Sequence, residues 1–196
     1  MAKLLYQGHG SSRLITAGGT VVYVDPYAGE GYDVPADLVL VTHEHYDHNK
    51  VALVTQKPGC RVLRAADMLV DGRYGVRRLG DVTVEAVPAC NANHPIDQCV
   101  GYIVTADGRQ VYFAGDTSEL ASMSDLAARH LDWALLPIDG VYNMDAKEAA
   151  RCADRIQAKH TVPIHTCFTG LYDPAVAAGF VHPSAVYLAA GQEVEL

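Results

Sequence analysis

Seven consecutive residues, Thr42-His43-Glu44-His45-Tyr46-Asp47-His48, restrict this chain more than any other stretch. They follow the apolar run Leu38-Val39-Leu40-Val41, which reads as a buried strand, so three imidazoles and a carboxylate fall just where a strand ends. His43 and His45 are two apart; in extended backbone they point the same way, whereas on a helix they diverge. The pair can therefore grip one ion. Asp47 and His48 come after the chain has turned, on an expected first helical turn, and face a neighbouring point, which suggests two adjacent metals. A solvated loop that is rich in histidine by chance is the competing reading of this motif taken alone.

Composition narrows the classes. A chain of 196 residues, 49% hydrophobic, is enough for one domain with a large core, and residues 1–196 are read as a single domain. Fifteen Lys and Arg against 23 Asp and Glu give a formal charge of -8, a field that repels polyanions at long range and disfavours nucleic acid. Met1-Ala2-Lys3 leads straight into Leu4-Leu5-Tyr6 without a leader-like apolar segment, and no later stretch is long enough to span a bilayer, so a cytoplasmic protein without membrane contact is expected. Five scattered cysteines without CxxC spacing argue against a disulfide framework or a zinc knuckle.

Read in order, Leu4–Gln7, Leu14–Thr16 and Val21–Val24 are expected as short strands joined by glycine turns. A short helix is expected over Asn49–Gln56, then a strand at Cys60–Leu63 and a helical turn over Ala65–Val70. Val82–Val87 alternates as a half-buried strand does, and Val100–Thr105 and Gln110–Ala114 bracket an Asp107-Gly108 hairpin turn. Helices are expected over Ser118–Arg129 and Asp145–Lys159, the latter with Asp145 and Glu148 at capping-box spacing. Strands follow at Trp133–Pro137 and Thr161–Ile164; Thr166–Pro183 reads as irregular, and Ala185–Leu188 and Glu193–Leu196 as closing strands. The order fits an α/β sandwich better than a Rossmann alternation. Gly8-x-Gly10 lacks the third glycine of a dinucleotide loop, since Arg13 stands in its place.

The strand ends carry the most informative pattern. Asp25, His43, Asp116 and His165 each sit at or just past the exit of an apolar strand, and His94 lies in a loop shortly after another. Side chains that close one sheet edge converge, which is where α/β proteins keep their sites.

Thr42-His43-x-His45-x-Asp47-His48, then His94, Gly115-Asp116-Thr117 and Pro163-Ile164-His165, in that order, resemble the metallo-β-lactamase superfamily over nearly the whole chain. Gly8-His9-x-Ser11, Ala134-Leu135-Leu136-Pro137-Ile138 and Tyr142-x-Met144 are similar to the branch that includes the L-ascorbate-6-phosphate lactonases, and Asn91-x-Asn93-His94-Pro95 to an uncharacterised prokaryotic subgroup. The resemblance implies a four-layered αβ/βα sandwich with a dinuclear site at one edge. Carried over by position, His43, His45 and His94 would hold one metal and Asp47, His48 and His165 the other, with Asp116 bridging. Asp47 would also take the proton of the attacking water. Asp25 would brace the histidine loop from behind, or merely begin an Asp-Pro turn.

Imidazole and carboxylate ligands without a required thiolate suit two divalent ions, zinc first, then manganese or iron. The expected activity is hydrolysis of a small ester, lactone or phosphoester by a hydroxide shared between the ions, and no GxSxG nucleophile elbow is present. A nucleic-acid phosphodiesterase, a redox protein of the flavodiiron kind and a metal-loaded binding module without turnover are the alternatives. His45 stands where the flavodiiron branch carries an acid, which weighs against the redox reading. The expected partner is a small-molecule substrate; a homo-oligomer is compatible with the sequence. His9, Tyr142, Cys167 and His182 are the candidate substrate contacts, Tyr142 as a donor to a developing oxyanion and His182 as a general acid.

Overall fold

Alternation with period two runs through most of the chain, and in the computed structural model, which describes residues 1–196, it resolves into two six-stranded sheets packed face to face. The first contains β1 (Lys3–Gly8), β2 (Ser11–Ile15), β3 (Val21–Val24), β4 (Ala36–Val41) and β5 (Gln56–Arg64) in sequence order. β1 to β3 form antiparallel hairpins, whereas β3, β4 and β5 run parallel. A one-turn helix, α1 (Ala65–Met68), and a ribbon of β6 (Leu69–Val70) and β7 (Arg73–Tyr74) lead to the second sheet. That sheet holds β8 (Val76–Leu79), β9 (Val82–Pro88), β10 (Val100–Ala106), β11 (Arg109–Phe113), β12 (Trp133–Pro137) and β13 (His160–Ile164), the last three parallel. β14 (Gln192–Glu195) returns to pair with β1.

The pleat decides what each strand buries. Leu38 and Leu40 of β4 join Tyr102 and Val104 of β10 in the core between the sheets, while Val39 and Val41 face outward with Tyr23 and Tyr32. On the second sheet Leu135 faces that central core, and Ala134 and Leu136 face α2 (Ala146–Ile156) through Ala149, Cys152 and Ile156. The arrangement is the α/β sandwich of the metallo-β-lactamase fold. Its outer layer over the first sheet is thin, made by the 25–35 loop and a three-residue 3-10 turn, Val51–Leu53. No helix is long and apolar enough to cross a membrane.

Several local expectations change. In place of a helix over Asn49–Gln56 there is only that 3-10 turn, because β5 starts at Gln56 and runs through Pro58; as an edge strand it can carry a proline that donates no hydrogen bond. Ser118–Arg129 contains 3-10 rather than α-helix, over Ala121–Arg129. Only half of the capping box at α2 forms: Asp145 accepts from the Glu148 amide, but the Glu148 carboxylate turns to the Glu119 amide. Ala185–Leu188 makes a single bridge, Thr161 to Ala185, not a strand. Within the stretch read as irregular, Asp173-Pro174 caps a short helix, α3 (Pro174–Ala178). Asp107 and Gly108 both take positive φ, as the hairpin between β10 and β11 requires.

Candidate metal centre

The ends of β1, β3, β4, β9, β11, β12 and β13 bring together the side chains that follow them. Three of these residues, His9, Asp25 and His165, have φ of 56, 47 and 49°, left-handed backbone that few non-glycine residues adopt, each immediately after a strand or one residue beyond it. That turn swings the side chain back over the sheet edge. Gly115, at φ 63°, does the same before Asp116, and a Cβ there would lie 2.9 Å from Thr42 Cβ, so only glycine lets the Asp116 loop press against the histidine loop.

The result is a buried cluster. His43 packs against His45, His48 and His94 with ring centroids 4.6, 4.2 and 4.8 Å away, and His45 and His94 are 4.7 Å apart. Asp116 sits among them: its oxygens lie 3.3 Å from His48 Nε2, 3.3 Å from His94 Nε2 and 3.6 Å from His165 Nε2. Asp47 Oδ2 is 3.8 Å from His165 Nε2. All seven residues expected from the sequence therefore meet at one place, His45 the most exposed of them.

What surrounds the rings fixes their tautomers. His48 Nδ1 donates to Asp25 Oδ2 at 2.9 Å, and Asp25 also accepts from the Thr42 amide and hydroxyl at 2.7 and 2.6 Å. With its own proton committed to Asp25, the Thr42 hydroxyl accepts from His43 Nδ1 at 3.0 Å. Asn91 Oδ1 accepts from His94 Nδ1 at 2.7 Å, and His165 Nδ1 lies 3.1 Å from Asp139 Oδ2. Asn143 bridges Asn91 and Asp139 at 3.0 and 2.7 Å. The outer nitrogens of His43, His48 and His94 are thus hydrogen-bonded and that of His165 faces the Asp139 carboxylate, which turns four Nε2 atoms inward.

Inside, the partners run out. His43 Nε2, His48 Nε2, His165 Nε2 and Asp116 Oδ1 are buried without a hydrogen-bond partner. Buried polar atoms without partners are costly, and so many aimed at one spot fit a cationic occupant that accepts their lone pairs. The donor set, imidazole nitrogens and carboxylate oxygens, is one that divalent zinc, manganese or iron accepts. Groups suited to a metal form the triads His43, His45, His94 and His43, His48, Asp116, and the quartet His9, Asp47, His48, His165.

Electrostatics follow from burial and the carboxylates. Burial, reinforced by the His48 charge, drives His43 down to about 2, and burial with the His94 charge lowers His45. Burial would lower His48 too, but Asp116 and Asp25 outweigh it and raise the ring to about 9. His165 also rises, since Asp116 and Asp139 overcome its burial. Burial works against the Asp116 charge, yet His48 and His165 hold the carboxyl well below the usual range; Asp47 falls to about 2 against its burial through His9 and His48.

Above the cluster opens a cleft of about 520 Å³, within the range of small-molecule sites. Its floor is His45, Asp47, His94, Asp116 and His165; its walls are Glu44, Tyr46, Asn93, Tyr142 and Phe168.

The profile of the β-lactamase superfamily domain matches residues 3–165, which include every side chain of the cluster. The chain belongs to this superfamily. Among relatives of the superfamily domain, a UPF0173 metal-dependent hydrolase of Thermococcus kodakarensis is 31% identical with 100% of both chains covered, and one of Methanoregula boonei is 35% identical over 83% of this chain and 81% of its own. A putative metal-dependent hydrolase from Parabacteroides distasonis superposes with a TM-score of 0.76 at 27% identity, covering 94% of this chain and 91% of that one.

The four candidate substrate contacts of this superfamily domain separate. Tyr142 lines the cleft, stacked on Phe168. His9 does not overlie the cleft: it is fully buried, its Nδ1 lying 3.1 Å from the Gly170 carbonyl and its Nε2 3.0 Å from Asp47 Oδ2. Cys167 is half-buried, with its Sγ against the Gly170 turn, and does not line the cleft. His182 is engaged elsewhere, by Ser184 Oγ at 2.7 Å and Asp154 of α2 at 3.2 Å, so it is no general acid for this cleft. Asp139 was not foreseen, although the strand-end rule that picks out Asp116 applies equally to an aspartate two residues past β12. Phe168 and the supporting role of Asn91 carried no signal of their own.

Proposed function

We propose that the chain is a metal-dependent hydrolase in which His43, His45 and His94 hold one divalent cation, Asp47, His48 and His165 a second, and Asp116 both. Zinc is the first candidate, with manganese or iron compatible. When bound, such ions lower the pKa of a coordinated water and polarise the oxygen of the bond under attack. The protein's own residues do the rest. Asp25, Asn91, Asp139 and the Thr42 hydroxyl face the outer nitrogens, so Nε2 is the atom each ring offers to a cation. Asp116 stays ionised in the middle. A carboxylate depressed to about 2, as Asp47 is, makes a weak base, which suits a ligand better than the proton acceptor of the reaction.

The substrate is a small ester, lactone or phosphoester, since the cleft is small-molecule sized and the formal charge of -8 repels polyanions. The observation that carries this reading is the set of buried Nε2 and carboxylate atoms left without protein partners. Elemental analysis of zinc-supplemented protein tests it, with two equivalents expected and most of both lost in Asp116→Ala. A panel of neutral esters, lactones and phosphodiesters then reads turnover. Wild-type metal content near zero would end the proposal.

A further inference from the structure

We propose that the cleft selects an uncharged ester or lactone bearing a flat apolar group, held at the rim by Tyr142, Phe168 and Tyr46. The proposal rests on the hydrolase reading and narrows it to a substrate class. Its first support is the rim itself. Tyr46, Tyr142 and Phe168 are 56, 42 and 53% exposed, yet all three line the cleft above the histidine cluster, and Val141 beside them is 67% exposed. Large apolar side chains scattered singly need no explanation, but several gathered around one opening mark a recognition surface.

The second support is that the rim is built rather than incidental. Tyr142 and Phe168 stack with centroids 5.3 Å apart and planes at 28°, presenting a continuous aromatic face. The loop carrying Tyr142 is pinned by Asp139 Oδ1, which accepts from the amides of Val141, Tyr142 and Asn143 at 2.7, 2.7 and 3.2 Å. The other oxygen of Asp139 lies 3.1 Å from His165 Nδ1, and Phe168 follows His165 by three residues. One carboxylate thus sets both a candidate metal ligand and one wall of the aromatic face. Tyr46, also in the lining, meets the Tyr27 ring edge-on at 6.0 Å.

The third support is charge. No lysine or arginine lines the cleft. Lys50 sits over the Tyr27 and Tyr46 rings at 4.3 and 5.9 Å, outside the lining, and both oxygens of Glu44 are taken by Arg64 at 2.8 Å. A phosphate or carboxylate on the part of the substrate away from the reacting bond would meet no cationic side chain in the lining. A flat uncharged group finds a stacking surface.

The test uses zinc-loaded protein and three esters with one leaving group: para-nitrophenyl phenylacetate, acetate and hemisuccinate. Phenylacetate should exceed acetate in kcat/KM by about tenfold, the scale of one or two aromatic pairs, and the anionic hemisuccinate should fall below both. In Tyr142→Ala/Phe168→Ala the ratio of phenylacetate to acetate should drop to near one. Both side chains are exposed, so the variant should fold, and its thermal unfolding midpoint checks that. Phe168→Leu, which keeps the bulk but loses the ring, should give an intermediate ratio. In parallel, calorimetry with naphthamide, which has no ester to cleave, should show binding that weakens about tenfold in the double variant. Naphthamide bound by wild type but not by the variant, with no ester cleaved, would leave the clamp standing and remove the hydrolase. Esters cleaved without preference, a hemisuccinate favoured over phenylacetate, or naphthamide bound equally by both proteins would remove the clamp and leave the hydrolase.

Discussion

The two halves of the candidate metal centre stand on different supports. Around His43 and His94 the outer ring nitrogens meet neutral acceptors, the Thr42 hydroxyl and the Asn91 amide oxygen. Around His48 and His165 they meet the carboxylates of Asp25 and Asp139, while Asp47 is steadied by His9. An ionised partner makes an imidazole more basic; a neutral one does not. Burial therefore wins at His43, which falls to about 2, and the carboxylates win at His48, which rises to about 9. In the metal-free protein His43 and His45 are deprotonated and open to a cation at neutral pH, whereas His48 keeps a proton where a cation would sit.

Asp116, common to both halves, is where the comparison breaks hardest. Asp116→Ala should lose both metal equivalents and at least about 10³-fold in turnover, the scale of removing the charge that holds two ions together. Asp116→Asn keeps the shape and removes only the charge. Retention of both equivalents in the Asn variant would mean that the carboxylate is structural and the imidazoles alone suffice.

Gly10→Ala should sort the halves. A Cβ at this position would lie 2.7 Å from His48 Cε1 and 3.1 Å from its Nδ1, with no strain in φ, so the substitution acts on the His48 ring and little else. Stoichiometry should fall from two equivalents to one, and the metal-free protein should melt earlier because the bond from His48 to Asp25 is disturbed. Two equivalents in this variant would show that His48 has room to move without losing its cation.

Much of this was legible in the sequence, and the reasons are local. His43 to His48 is a contiguous motif, and Asp116 and His165 each end a strand whose apolar run is unmistakable, so their convergence could be inferred from strand direction alone. His182 and Cys167 were misplaced because they lie past β13, where no periodic pattern fixes the path of the chain. His9 was seen near the site but on the wrong side of it: the hairpin between β1 and β2 tucks its side chain beneath Asp47, and only the left-handed backbone at His9 reveals that. The 3-10 character of Ala121–Arg129 was hidden because its two buried residues, Met123 and Leu126, are three apart, a spacing that an α-helix and a 3-10 helix both place on one face.

His9→Gln sharpens the second half further. Glutamine can reach Asp47 but cannot also fill the space of a ring packed at a tilt on His165 with centroids 3.7 Å apart. Removing a supporting contact of this kind typically weakens metal affinity by about 10- to 100-fold, and the loss should fall on one of the two equivalents when competed with a chelator. Uniform weakening of both would place His9 in general packing rather than behind Asp47.

The smallest effect, and the one that addresses the contrast itself, is in protons. His48 is raised to about 9 from an ordinary 6.5, so its contribution to metal-free stability is complete below about pH 6.5 and is lost as pH climbs through 9. Asp47, lowered to about 2 from 3.8, contributes above its ordinary value and loses that contribution as pH falls toward 2; His43, also near 2, penalises the folded state below about 6.5 because only the unfolded chain takes its proton. The metal-free protein should thus be most stable near pH 6.5 and lose stability as pH falls below that or climbs toward 9. At pH 7, cation binding to the second half must expel the His48 proton, while the first half has none to give from His43 or His45. Calorimetric zinc titrations in buffers of different ionisation enthalpy should show more proton release with the second equivalent than with the first, and the weaker affinity should gain up to about tenfold per pH unit approaching 9. Equal release from both equivalents would mean that the carboxylate supports leave the basicity of the rings unchanged, and the two halves would then differ in position but not in chemistry.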